Sequence, residues 1–245
     1  MVICRNLIIG EGMPKICVPV TIKNDEDILN QLPHDLPYDF IELRIDSYSY
    51  LNEFHKVKTL LNQIRELVEC PILLTCRSVS EGGKSSLTKE EYKQFLIQVI
   101  ESGFIDMIDI EINVGNAIVF ELVEKAKSHN VKVVMSYHNF DKTPPQEDMI
   151  DILEKMEVMG GDILKIAVMP LCKKDVVTLM NTSLIMSSRI DKPLIMISMG
   201  ELGKITRVAG ELIGSSVTFG MALESSAPGQ IHVSHLKDLL ESVHK

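Results

Sequence analysis

Short, continuous apolar runs alternate along this chain with longer stretches in which apolar residues recur every three or four positions. The first kind reads as a strand covered on both faces, the second as an amphipathic helix. Lys15–Val20 predicts the first strand. The cluster Asn24-Asp25-Glu26-Asp27 predicts the start of a short helix, because carboxylates in a first turn complement the helix dipole. Phe40–Ile45, Pro71–Cys76, Ile105–Ile112, Val131–Tyr137, Ile163–Val168, Leu194–Ser198 and Ser216–Phe219 predict seven further strands. Helical segments fall between them at Leu51–Val68, from Thr88, near Ala117–Ser128, after Pro144-Pro145, at Lys174–Met186 and at Ile205–Ile213. Val233–Val243 closes the chain. Thr88-x-x-Glu91 has the spacing of a capping box.

Eight strand–helix units in 245 residues match a (β/α)8 TIM barrel in number and length. The expected fold class is therefore α/β, with one barrel domain over residues 1–245. An open doubly wound sheet is the competitor, and the regularity of the units favours closure. Neither a low-complexity linker nor an internal duplication interrupts the pattern. Val2-Ile3 and Leu7-Ile8-Ile9 precede the first barrel strand and predict a short N-terminal β-hairpin.

A barrel of this kind carries its chemistry at the C-terminal ends of its strands. Unusual polar residues do cluster there. Glu42, Arg44 and Asp46 alternate along the second strand and so share one face, and Asp109 and Glu111 do the same on the fourth. The third strand exits into Arg77-Ser78-Val79-Ser80-Glu81-Gly82-Gly83, the fifth into Ser136-Tyr137-His138-Asn139, and the seventh into Ser198-Met199-Gly200 with Arg207 beyond. The eighth leads into Ser225-Ser226-Ala227-Pro228-Gly229-Gln230. Each has a structural reading as well. Glu42, Arg44 and Asp46 also fit an ion-pair layer holding the barrel, Asp109 and Glu111 fit counter-ions, Arg77 and Glu81 a local surface pair, and Arg207 a solvated helix residue. His138 also fits a satisfied loop histidine, but its place directly after a strand and beside the strand of Lys165 favours function.

Lys165 is the sharpest anomaly. It sits inside Ile163-Leu164-Lys165-Ile166-Ala167-Val168-Met169, a run that otherwise reads as fully buried. An unpaired buried ammonium is costly, so the amine must be paired or neutral. A neutral amine attacks carbonyls, which points to chemistry through an imine.

Composition narrows the class without changing this picture. With 45% hydrophobic and 24% charged residues the chain is an ordinary globular one. A net charge of -9 with no basic block argues against nucleic acid as partner, but leaves room for a small anion at a local cationic cluster. The five cysteines, Cys4, Cys17, Cys70, Cys76 and Cys172, are widely spaced and include no Cys-x-x-Cys, so reduced thiols and no zinc framework are expected. Four of the five lie in or beside apolar segments and read as core. His232-Val-Ser-His235 has helical spacing but no partner ligand, so no metal is expected there. Gly200-Glu-Leu-Gly203-Lys204 lacks the spacing of a phosphate loop. No apolar run reaches membrane-span length, and Met1–Gly10 lacks a signal-peptide pattern. A cytoplasmic protein with no membrane partner is the expectation.

Five segments together resemble one family. They are Glu42-Leu-Arg44-Ile-Asp46, Arg77-x3-Glu81-Gly-Gly, Ser136-Tyr-His138-Asn-Phe140, Leu164-Lys165-Ile-Ala-Val-Met-Pro170, and the stretch from Ser198-Met199-Gly200 through Arg207 and Thr218-Phe-Gly220 to Ser226-Ala-Pro-Gly-Gln230. In this order, each at a strand exit, they are similar to the type I (Schiff-base) 3-dehydroquinate dehydratases of the shikimate pathway. The likeness runs from Lys15 to the end. It implies that Lys165 forms an imine with the ring ketone of 3-dehydroquinate, that His138 is general base and then general acid, and that Glu81 orients His138. It implies that Arg207, Ser226 and Gln230 hold the substrate carboxylate, that Glu42, Arg44 and Arg77 face the ring hydroxyls, and that Met199 and Phe219 form apolar walls. It implies no metal or organic cofactor, and a homodimer. A neighbouring cation such as Arg207, with desolvation, would favour the neutral lysine. Two departures stand out. Val18-Pro19-Val20 lacks the serine that relatives often place facing the site, and Ile197 replaces a second methionine. Another Schiff-base barrel, such as a class I aldolase, explains Lys165 but not the His138 segment or the Ser226–Gln230 loop. A non-enzymatic anion-binding barrel is the remaining alternative.

Overall fold

The computed structural model describes residues 1–25, 31–33, 35–223 and 227–244. Two short strands, β1 (Val2–Cys4) and β2 (Leu7–Ile9), pair antiparallel as the expected hairpin. The barrel strands are β3 (Lys15–Thr21), β4 (Phe40–Arg44), β5 (Ile72–Thr75), β6 (Met107–Glu111), β7 (Lys132–Asn139), β8 (Ile163–Val168), β9 (Leu194–Ser198) and β10 (Val217–Met221). They pair in parallel, neighbour to neighbour, from β3 to β9, and β10 pairs back onto β3. The last seam closes at its base. There Ser215 bridges Leu194, the Ser216 amide donates to the Leu194 carbonyl at 2.7 Å, and the Met196 amide donates to the Ser215 hydroxyl at 3.0 Å. The fold is the expected (β/α)8 barrel.

The helices between the strands are α1 (Phe54–Leu67), α2 (Lys89–Glu101), α3 (Asn116–Ser128), α4 (Gln146–Val158) and α5 (Lys173–Ser187). The helix expected to open at Asn24–Asp27 falls largely on 26–30, outside the described residues. Helix α2 starts as its sequence demands. Thr88 Oγ1 accepts from the Glu91 amide at 3.3 Å, and Glu91 accepts from the Thr88 amide at 2.8 Å. The expected single helix over Ile205–Ile213 is instead broken. In its place stand α6 (Gly200–Gly203), a 3-10 turn at Lys204–Arg207, and α7 (Gly210–Ile213). The physical reason is Thr206. Its hydroxyl accepts from the Ser198 amide at 3.1 Å and donates to the Gly203 carbonyl at 2.8 Å, local bonds that compete with a continuous helix. A short parallel strand, β11 (Ile231–His232), lies beside β10 and was not expected. Helix α8 (Val233–Val243) starts directly after it, where the sequence places the closing helix.

Strand periodicity sorts every barrel residue into one of two environments. Outward positions such as Ile41, Leu43, Leu74, Ile108, Ile110, Val133, Met135, Leu164 and Ile166 join the helices in one large core. Inward positions change character along the barrel axis. At the base Cys17, Phe40, Leu73, Met107, Val134, Ile163, Ile195 and Val217 are apolar, and Val2, Cys4 and Ile9 of the hairpin pack among them. One inward step further, Glu42, Thr75, Asp109, Ser136 and Lys165 are polar and buried. The barrel floor is thus greasy and its upper half charged. Of the cysteines, Cys4, Cys17 and Cys76 are buried, Cys70 is half-buried and Cys172 exposed. Among the described residues no helix is long and apolar enough to cross a membrane.

Candidate active site

Lys165 occupies the middle of β8, pointing inward, and is 4% exposed. Its Nζ lies 3.3 Å from Glu42 Oε1, 3.9 Å from Asp109 Oδ2 and 4.4 Å from the Phe219 ring centroid. The charged groups that touch it are therefore carboxylates, not the Arg207 guanidinium expected with the family resemblance. Thr75 donates to the same Glu42 oxygen at 3.0 Å. Burial opposes ionisation of Glu42, but Lys165, Arg44 and Arg77 outweigh it and hold the carboxyl below its ordinary range.

Arg77 anchors the polar layer. Its guanidinium donates to Asp109 at 2.7 Å, to Glu111 at 3.0 Å and to the Ser136 hydroxyl at 2.9 Å, and it lies 3.5 Å from Glu81. Ser136 in turn donates to Asp109 at 2.6 Å. Burial alone would disfavour this cation, but the carboxylates of Asp109, Glu111 and Glu81 push its pKa well above the ordinary value. The surface-pair reading of Arg77 and Glu81 fails, since both are 3% exposed. Asp109 and Glu111 are the counter-ions expected. Arg44 closes bidentately on Asp46, at 2.9 and 3.1 Å.

His138 lies within β7, which runs on to Asn139 and past the expected end at Tyr137. The extension comes from pairing, because β8 offers Ala167 and Val168 as partners for His138 and Asn139. Glu81 Oε2 accepts the His138 amide at 3.1 Å and faces His138 Nδ1 at 3.0 Å. This leaves Nε2 for the cavity. Asn113 donates to the other Glu81 oxygen at 3.2 Å. Burial, then Arg77, Lys165 and Arg44, depress the His138 pKa well below 6.5, so the imidazole is neutral. Burial, with Glu111 and Asp109 and against Arg77, pushes the Glu81 carboxyl up to about 8. After Glu81 the chain turns at Gly82, with φ of +80°. A Cβ there would meet the Phe140 ring at 2.2 Å, so only glycine lets this ring close over the loop.

Arg207, 2% exposed, gives three of its five N–H groups to backbone carbonyls. They are Gly229 at 2.9 Å, Pro228 at 3.1 Å and Phe219 at 3.2 Å. It thereby ties the loop after β10 to the exit of β9. Gly229, with φ of +76°, allows this loop to approach Gly200, whose carbonyl oxygen a Cβ would meet at 2.3 Å. Burial lowers the Arg207 pKa to about 10.

These groups line one open cavity at the C-terminal mouth of the barrel. Glu42, Arg44, Arg77, Glu81, His138, Lys165, Met199, Arg207, Phe219 and Gln230 all line it. Ser226 lies outside the described residues. Gly82, Phe140, Ala167, Ile197 and Ala227 complete the wall. Sequence reasoning gave no role to Phe140, Thr75 or Asn113. Thr75 was detectable by parity, since Leu73, Thr75 and Arg77 share a strand face. Asn113 carried no such signal, because it lies in a turn after β6. Chemically, the cavity offers a buried amine flanked by a carboxylate, a neutral imidazole and cations.

The Glu81 and His138 shifts have opposite consequences for stability. Between about 4.5 and 8 the folded chain holds a proton on Glu81 that the unfolded chain has lost, so this carboxyl withdraws stability as pH rises. The unfolded His138 binds a proton below 6.5 that the folded one refuses, so it withdraws stability as pH falls below that value. From about 6.5 to 8 only the Glu81 contribution of this pair remains, on the order of 1–2 kcal/mol. Glu81→Gln is expected to flatten the decline by that amount in urea titrations across this range. Parallel slopes in the two proteins would mean that Glu81 stays ionised.

Comparison with known proteins agrees with this geometry. The family model for type I 3-dehydroquinase matches residues 16–245. A 3-dehydroquinate dehydratase of Listeria welshimeri is 42% identical over 251 residues, covering all of this chain and 98% of the relative. One of Clostridium novyi is 42% identical over 244 residues, covering 98% of this chain and 96% of the relative. A crystal structure of the type I 3-dehydroquinate dehydratase of Clostridium difficile, with covalently modified comenic acid, superposes with a TM-score of 0.96 at 39% identity, over 99% of this chain and 97% of that one. The chain belongs to the type I 3-dehydroquinase family.

Proposed function

We propose that the protein dehydrates 3-dehydroquinate to 3-dehydroshikimate through an imine on Lys165, with His138 moving the protons, as one catalytic domain in the shikimate pathway. The observation that carries this reading is that Lys165 and His138 open onto one cavity whose wall also holds Arg207. The Lys165 amine adds to the ring ketone, and loss of water leaves a protonated imine. That cation drains electrons from the adjacent carbon. His138 Nε2 then removes a proton there, and the electron pair passes into the imine as an enamine. The enamine returns its electrons and expels the ring hydroxyl, which takes the proton back from His138 and leaves as water. Hydrolysis of the conjugated imine frees the product.

The other residues assist by position. Glu81 holds Nδ1 and so keeps Nε2 aimed at the ring. Among the described residues Arg207 makes three carbonyl bonds, which leaves two N–H groups for a carboxylate; Gln230 lines the same cavity, and the family resemblance adds Ser226 to this role. Glu42, Arg44 and Arg77 face the ring hydroxyls, and Met199 and Phe219 cover its apolar edge. This route needs no cofactor. The covalently modified ligand of the C. difficile relative supports a covalent step. A homodimer and a cytoplasmic location belong to the same reading, and light scattering tests the former.

Borohydride trapping tests the chemistry. Incubation with 3-dehydroquinate and borohydride is expected to add one reduced ligand, which peptide mapping finds on Lys165. No adduct, or an adduct elsewhere, would overturn the imine.

A further inference from the structure

We infer that Glu42 is the proton carrier of imine formation, taking a proton from the Lys165 ammonium and returning it to the oxygen that leaves as water. This role rests on the proposed imine chemistry and gives Glu42 a step beyond contact with the ring.

In the resting site Lys165 and Glu42 are both buried, and Nζ to Oε1 is 3.3 Å. An ammonium so paired is no nucleophile, because its lone pair is taken by a proton. The proton must move before the amine can attack, and burial denies it bulk water as acceptor. Asp109 is the other carboxylate in reach. It lies further off, at 3.9 Å, and both its oxygens are held, one by Arg77 at 2.7 Å and the other by Ser136 at 2.6 Å. His138 has its Nδ1 turned to Glu81. The Glu42 oxygen that faces Lys165 also accepts from a neutral hydroxyl, that of Thr75. Of the two carboxylates beside Nζ, Glu42 is the one that can accept a proton without breaking a bond to a guanidinium.

The step balances. The N–H bond of the ammonium breaks and an O–H bond forms on Glu42, leaving a neutral amine and a neutral acid. The amine adds its lone pair to the ketone carbon, and a proton passes from nitrogen to the new alkoxide. Glu42 then protonates that hydroxyl, the C–O bond breaks, and water leaves. The products are a protonated imine and a carboxylate, so the pair carries the same charges at the end as at the start. The Phe219 ring face, 4.4 Å from Nζ, attracts the cation in both states. A buried site is thus spared any change of net charge during bond formation.

The test is the rate of adduct formation, trapped with borohydride in a single turnover at saturating 3-dehydroquinate. Glu42→Gln keeps the shape and removes the basic oxygen. It is expected to slow adduct formation by about 10²–10⁴-fold at neutral pH, the usual span for a lost acid–base group. An unchanged or faster rate would overturn the inference, since a carboxylate that only holds the lysine protonated would restrain it. A higher half-saturation concentration with an unchanged saturated rate would also overturn it and make Glu42 a binding group. Should Glu42→Gln fail to fold, Glu42→Asp serves, because it keeps the charge and withdraws the oxygen. It is expected to slow trapping at least about tenfold, and a wild-type rate would count against the role. If the wild-type protein forms no adduct, the imine itself falls, and a normal adduct with an unaffected variant removes only the Glu42 step.

Discussion

Lys165→Met is expected to abolish turnover while the barrel stays folded. The loss expected is about 10⁴–10⁶-fold, the scale seen when a covalent nucleophile is removed. Methionine fills nearly the same inward volume on β8, between apolar Ile163 and small Ala167 on the same face. It leaves Glu42 buried without its lysine, though Thr75 still donates to it and Arg44 and Arg77 remain close enough to favour its charge. The Glu42 carboxyl is therefore expected to rise in pKa. Absorbance of the conjugated enone product measures turnover, intact mass after borohydride measures the adduct, and a thermal melt measures the fold. Activity within tenfold of wild type would show that the amine is not the nucleophile.

His138→Gln is expected, on the proposed mechanism, to let the imine form but stall the proton transfers after it. Its rate loss is expected at about 10²–10⁴-fold in kcat, with a smaller effect on KM. The support of the site survives, because the amide at position 138 donates to Glu81 from the backbone and does not depend on the side chain. Neutral imidazole is the form available in the folded protein, since burial and three cations keep a proton off it. Glutamine cannot take up a proton and return it. The variant should thus accumulate an imine trappable by borohydride at steady state. Little trapped species alongside slow turnover would place the defect in imine formation instead, and wild-type kcat would remove His138 from the chemistry.

The barrel was legible because two periodicities agree along the chain. Outward positions such as Leu43, Leu74, Ile110 and Ile166 are apolar throughout, while Glu42, Arg77, Asp109 and Lys165 recur on the inward face. A charge at every second position of an otherwise greasy strand has few structural explanations, so the candidate site stood out in the sequence itself. The features that stayed hidden depend on contacts across the barrel. The partners of Lys165 come from β4 and β6, brought near by closure of the sheet, and the family resemblance had suggested a cation where carboxylates stand. The break between α6 and α7 hangs on Thr206 meeting β9, and the inward turn of Arg207 hangs on carbonyls of a loop more than twenty residues on. The length of β7 was set by β8, not by its own residues.

The hairpin of Val2–Cys4 and Leu7–Ile9 packs into the apolar floor of the barrel, and the site opens at the opposite, C-terminal end. In the proposed chemistry, substrate, departing water and the water that hydrolyses the imine would pass the rim of that opening. A compound that bonds to Lys165 and also fills that rim stands between its own C–N bond and the solvent needed to cleave it. On that proposal, the lifetime of an adduct is expected to depend on how well its outer end corks the opening, so that lengthening an inhibitor outward extends its residence without touching the reactive carbonyl.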